Sequence, residues 1–138
     1  MWRVIGRERA NRFWPSKSLH DAGTATVYRS DWPSVVPSSS PWPGTQAMVT
    51  RCDPYGHARG ALAPEQSIGL AGALEIFTCN GAAALRMEHD AGGIEVGKLA
   101  DLMVLSQNLF EIPPGQISDA QVLETVFEGR MVSAKQLS

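Results

Sequence analysis

Two short stretches carry residue types and spacings that could do chemistry. The first, Gly92-Gly93-Ile94-Glu95-Val96-Gly97-Lys98, has the spacing Gly-x-x-x-x-Gly-Lys of a phosphate-binding loop. Such a loop needs a strand before it, a helix after it, and a Ser or Thr hydroxyl behind the lysine for Mg²⁺. Leu99 follows Lys98 and offers a metal no oxygen. The segment before it reads as helix, and Leu99 to Leu105 is a short apolar run without a helical cap, which reads as strand. The order of elements is reversed, so the phosphate reading fails.

The second stretch ends in Asp31. The β-branched and aromatic run Thr24–Tyr28 predicts a strand, and Asp31 stands at its C-terminal end ahead of a long loop. In barrels of alternating strands and helices, catalytic groups project from that position. A plainer role is available, a cap on the turn before Trp32-Pro33, and by its own residues alone the plainer role is preferred. Other candidates are weaker. His20, His57 and His89 are scattered, without an H-x-H or H-E-x-x-H spacing, and read as surface or helix-end residues. No serine sits in a G-x-S-x-G elbow. Cys52 and Cys79 form no C-x-x-C pair and read as small buried thiols of a reducing compartment, short of the ligands a structural zinc needs. For Arg51 and His57 the sequence leaves an approach to a ligand open, and helix-surface and loop roles are preferred.

The elements that must position these residues follow from local signals. Residues 6–22 read as helix, broken at Pro15 and stopped by Gly23. The segment Asp31–Gly44 is rich in proline and serine, and reads equally as a linker or, given Trp32 and Trp42, as an ordered loop. A helix is predicted over Thr45–Cys52. Another begins at Pro64-Glu65, where proline and an acidic side chain suit a first turn, and runs through Phe77. A further helix starts at Thr78 or Asn80 and breaks near Asp90. Strands are predicted at Asp101–Leu105, Val122–Glu128 and Arg130–Ser133, the last two joined by a tight turn at Glu128-Gly129.

At 138 residues, 43% hydrophobic and 19% charged, the chain has the length and composition of one globular domain. Its net charge of −2 gives no general attraction to nucleic acid or membrane. Arg3, Arg7, Arg9, Arg12 and Lys17 are interleaved with Trp2, Phe13 and Trp14, yet Glu8 and Asp21 dilute the patch, and it reads as a solvated helix face. No run approaches the roughly 18 apolar residues of a membrane span, and no signal-peptide core is present, so a cytoplasmic location is expected.

Four motifs then occur in one order: Ser30-Asp31-Trp32-Pro33, Ala47-Met48-Val49-Thr50-Arg51, Thr78-Cys79-Asn80-Gly81-Ala82-Ala83, and the run from Gly93 to Leu105. Together they resemble the C-terminal part of the metal-dependent amidohydrolase superfamily. The likeness is nearest to the branch whose last barrel strand ends in Gly-Ser-Asp-Trp-Pro (amidohydrolase family 3-like), and it extends from about Gly6 to Val132. It implies an α/β fold: the last βα unit of a TIM barrel plus strands of the small β-sandwich appended to it, an incomplete barrel. Residues 1–90 would form the barrel portion and residues 91–138 the sandwich strands. The Gly-Lys segment would turn the chain from the closing helices into the sandwich, with Lys98 in solvent and Leu102, Val104 and Leu105 in its packing.

The resemblance also implies hydrolysis of carbon–nitrogen bonds other than peptide bonds. It places Asp31 at a centre of divalent metal, zinc foremost, as ligand or as acceptor of a proton from the attacking water. Two departures qualify this. Arg29 stands where the family has glycine and is placed to pair with Asp31, which would weaken it as a base. The family's H-x-H pair, its bridging residue and its later histidines are absent from the 138 residues. One carboxylate does not hold a catalytic zinc, which takes three protein ligands. The expectation is therefore a C-terminal piece that binds no metal and is inactive by itself, completed by a complementary N-terminal fragment or by self-association. A non-catalytic binding or assembly module on the same scaffold is the alternative. Unpaired edges of the Thr24–Tyr28 strand, and exposed apolar faces on helices 45–52 and 64–77, are expected in a monomer.

Overall fold

The computed structural model describes residues 2–134. Of the N-terminal basic and aromatic set, the side chains of Trp2, Arg3 and Arg7 lie outside the described residues. Three short helices open the chain: α1 (Trp2–Ile5), α2 (Arg7–Asn11) and α3 (Ser16–Asp21). The predicted break falls where Trp14 takes a positive φ of 51° ahead of Pro15, and the predicted stop at Gly23 has a φ of 71°. Residues 24–30 follow with no helix, turn or ladder. The strand expected at Thr24–Tyr28 is thus not part of any sheet among the described residues, because no strand lies alongside to complete its hydrogen bonds.

Helix α4 (Trp42–Thr50) begins earlier than predicted, since Pro43 fits a first turn, and ends at Arg51 in the left-handed region. The long helix expected from Pro64 is shorter. A 3₁₀ turn at Pro64–Gln66 is followed by extended Ser67, and α5 spans only Leu70–Phe77. Thr78 departs from helical geometry, so α6 (Cys79–Ala84) is separate from α5. It ends well short of Asp90, where Arg86 has a φ of 59°.

The C-terminal third holds an antiparallel sheet in the order β1 (Leu102–Leu105), β2 (Val122–Phe127), β3 (Arg130–Ala134). Glu128 and Gly129 both have positive φ, 48° and 75°, as a two-residue hairpin turn requires. The Asp101 carboxylate accepts the Glu128 N–H at 2.8 Å and fixes the turn from the side.

The core forms where α4 meets a 3₁₀ segment at Pro114–Asp119. Trp42, Leu109, Ile117 and Ala120 are buried together, with Val49, Leu70, Leu105 and Val122 packed around them. Gln46, itself buried, accepts the Ser118 N–H at 2.8 Å, so the contact is polar as well as apolar. The exposed faces expected on the two central helices are therefore largely covered by the chain's own residues: Trp42 of α4 and Ala73 and Ile76 of α5 are buried. Gly97 has a φ of 99° at the predicted turn, but Lys98 is not in solvent. Its side chain is only 16% exposed and pairs with Glu95 at 3.0 Å. Leu105 packs on the core and Leu102 is half-buried, while Val104 remains exposed. Among the described residues no helix is long and apolar enough to cross a membrane.

Candidate functional site

The approach to Asp31 is built by packing instead of by sheet pairing. Along residues 26–30 burial alternates: Thr26, Tyr28 and Ser30 are half-buried, whereas Val27 and Arg29 are exposed. That period of two is the signature of an extended strand with one face covered. Tyr28 is the anchor of the covered face. Its ring lies 4.3 Å from that of Phe77 in α5, and it crosses Gly44 so closely that a Cβ there would come within 2.5 Å of the ring. The Asn80 side-chain amide of α6 donates to the Thr26 carbonyl at 3.0 Å. Burial pushes the Tyr28 phenol above its usual pKa, and negative charge on Tyr55 and Asp31 adds to this.

Asp31 ends the segment with a φ of 56°, and the following Trp32–Pro33 peptide is cis. Its main-chain carbonyl accepts the Ser34 N–H at 2.8 Å, the Ser34 hydroxyl at 2.7 Å and the Val35 N–H at 3.3 Å. The turn is thus capped by the backbone of Asp31 and leaves its carboxylate for another partner. That partner is Arg29, whose Nε lies 2.7 Å from Oδ1, the pairing expected from the sequence. Both side chains are half or more exposed, so the pair contributes under about 1 kcal/mol to stability.

Asp31 opens onto a groove of about 970 Å³ lined among others by Trp14, Tyr28, Met48, Arg51, Tyr55 and Ile68. Arg51 is the residue in this region that sequence reasoning misplaced. It is buried, not on a helix surface. Its Nε donates to the Leu62 carbonyl at 2.9 Å and its Nη1 to the Ser16 hydroxyl at 3.3 Å, while its own carbonyl accepts the Leu62 N–H at 2.8 Å. Burial lowers the pKa of the guanidinium, and the charge of Glu65 partly offsets this. One cue in the sequence is its place in the last turn of the helix predicted over Thr45–Cys52, where a cation meets the last carbonyls.

Asp53 shapes the loop beside the groove, accepting the Tyr55 N–H and the Ala58 N–H, each at 2.9 Å. These bonds, the Tyr55 N–H first, together with His57 hold its carboxyl below the ordinary range against the opposing effect of desolvation. His57 is exposed, 3.9 Å from Asp53, and His20 lies against Gly72 of α5. His89 is exposed in a turn. The structure brings none of the three histidines to Asp31. Both cysteines are exposed thiols instead of buried ones; Cys79, the first residue of α6, donates to the Gly92 carbonyl at 2.9 Å.

Among the described residues no three His, Cys, Asp or Glu side chains are grouped to hold a metal ion. The neighbour of Asp31 is a cation, so its surroundings do not fit a metal, and no reaction step is drawn through one. The sequence model of the amidohydrolase family matches residues 1–133. The chain belongs to the amidohydrolase family. It is 31% identical over 129 residues to an N-substituted formamide deformylase from Arthrobacter pascens, covering 94% of this chain and 23% of that protein. To a putative amidohydrolase, YtcJ, from Bacillus subtilis it is 26% identical, covering 95% of this chain and 24% of the relative. The protein LONG AFTER FAR-RED 3 of Arabidopsis thaliana is 31% identical, with 94% of this chain and 22% of that one covered. The crystal structure of an amidohydrolase from Thermotoga maritima shares the fold, with a TM-score of 0.62 at 24% identity over 85% of this chain and 25% of that one. The amidohydrolase chain described here thus spans about a quarter of the length of the curated relatives it matches.

Proposed function

We propose that this chain is the terminal quarter of an amidohydrolase acting on carbon–nitrogen bonds other than peptide bonds, and that it has no turnover by itself. The observation that carries the reading is the placement of Asp31. It stands at the end of a half-covered extended segment, with its main-chain carbonyl holding the turn, its carboxylate paired with Arg29, and the residue lining an open groove. In that place its carboxylate would accept a proton from the attacking water. The remaining catalytic groups would come from a complementary N-terminal polypeptide. N-substituted formamides are the first substrates to try, since the deformylase relative is named for them. The test pairs elemental analysis of the purified 138-residue chain, dialysed against zinc, with a formamide hydrolysis assay. Neither retained metal nor turnover is expected, and metal-dependent turnover by the chain alone would overturn the proposal.

One observation favours the second reading, a non-catalytic assembly module. Arg29 already occupies the Asp31 carboxylate at 2.7 Å, a pairing that competes with any role as base. Addition of a relative's metal-binding portion, followed by the same assay, separates the two readings.

A further inference from the structure

Arg51 has a donor left over. Its Nε is engaged by the Leu62 carbonyl at 2.9 Å and its Nη1 by the Ser16 hydroxyl at 3.3 Å. Its Nη2 is buried and has no hydrogen-bond partner among the described residues. None of the ion pairs among the described residues includes Arg51, and the residue is only 8% exposed. A charge taken this far out of water is costly unless it is paired. The partner that suits a guanidinium best is a carboxylate, which meets the planar fork in two parallel bonds. The bond from Nη1 to Ser16 is longer than usual for N–H···O, so the hydroxyl is a weak occupant of that fork.

Arg51 and Ser16 both line the groove of about 970 Å³. The two carboxylates that line it are already engaged. Asp31 is paired with Arg29, and Asp53 accepts the Tyr55 and Ala58 N–H groups. Arg59 lines the same groove and adds a further cation. Much of the remaining wall is apolar, with Trp14, Leu19, Met48 and Leu62 along it. We infer that Arg51 binds a small organic anion, a carboxylate carried on an apolar body. The carboxylate displaces the Ser16 hydroxyl, bridges Nη1 and Nη2, and leaves the bond from Nε to Leu62 in place. The apolar body lies along the wall of the groove. This is a binding site distinct from the proton-accepting role of Asp31, and it requires no turnover.

The experiment titrates the full chain with phenylacetate, phenylacetamide and acetate, following binding heat and the side-chain NMR resonances of the Arg51 guanidinium. Phenylacetate should bind and shift those resonances. The neutral amide should not, and acetate, which lacks the apolar body, should bind about tenfold more weakly. Two variants avoid disturbing Arg51 itself. Ser16→Ala removes the competing hydroxyl and should tighten phenylacetate binding about threefold. Ser16→Asp supplies a carboxylate from the chain and should abolish binding, with the far-UV circular dichroism unchanged. No binding of phenylacetate, equal binding of acid and amide, or acetate as tight as phenylacetate would each overturn the inference. So would binding that leaves the Arg51 resonances unmoved, or Ser16 variants that both bind as the wild type does. None of these readouts involves metal or hydrolysis, so failure here is distinct from failure of the catalytic reading.

Discussion

Residues 24–30 and strand β2 are written in the same residue types and end differently. Both are rich in β-branched and aromatic side chains, and both have the makings of a half-buried strand. Strand β2 lies between β1 and β3 and is laddered on both sides. Residues 24–30 have no ladder among the described residues and are held by a ring contact, a close approach to a glycine, a side-chain amide and the Thr24 N–H on the Leu19 carbonyl. The difference lies in how far away the partners are. The partner β3 follows β2 through a two-residue turn, and β1 precedes it within the same third of the chain. Strand character is local; pairing is supplied by whatever chain lies alongside.

That comparison can be broken most severely from the core. Ile117, 1% exposed, belongs to the buried cluster that holds Trp42 of α4 and against which Leu105 of β1 and Val122 of β2 pack. Ile117→Ala should cost about 2–5 kcal/mol, read as a fall in the denaturant midpoint. Loss of the sheet signal together with the Tyr28 contacts would show that both regions melt as one. A smaller substitution isolates the unpaired segment. Gly44→Ala forces the Tyr28 ring from its place against Phe77, at a cost of about 1–3 kcal/mol. Amide exchange should accelerate over residues 24–30 and stay unchanged in β2; equal acceleration in both would erase the distinction. The smallest effect is acid on the loop bordering the groove. The folded carboxyl of Asp53 titrates below its ordinary range, so the stabilisation it contributes is complete above the unfolded pKa of about 3.9 and is lost as pH falls through the lower folded value. Exchange at Tyr55 and Ala58 should rise in that acid window in the wild type. In Asp53→Asn it should be flat.

Turns and hairpins were legible in the sequence because their causes are local. Gly23, Gly97 and the Glu128-Gly129 pair take the positive φ values their neighbours imply. Helix lengths were less so. The Pro64–Phe77 stretch is interrupted because Ser67 is drawn into extended geometry, and its follower Ile68 donates its N–H to Met48 of α4, a partner distant in sequence. In the site, the Arg29–Asp31 pair was visible as two residues two positions apart. The burial of Arg51 was not, since its acceptors Leu62 and Ser16 come from segments on either side of it in the chain. Lys98 was misjudged although its partner is local: its side chain is largely buried and its ammonium meets Glu95 three residues back.

The Asn80 amide on the Thr26 carbonyl has a consequence for growth. A bare strand with two open edges is a template that each added copy passes on, and repetition of that step yields fibres. With the Leu19 carbonyl on its Thr24 N–H and Asn80 on its Thr26 carbonyl, part of one edge is withdrawn from such pairing. Replacing Asn80 with alanine frees the Thr26 carbonyl and should raise aggregation, read by light scattering.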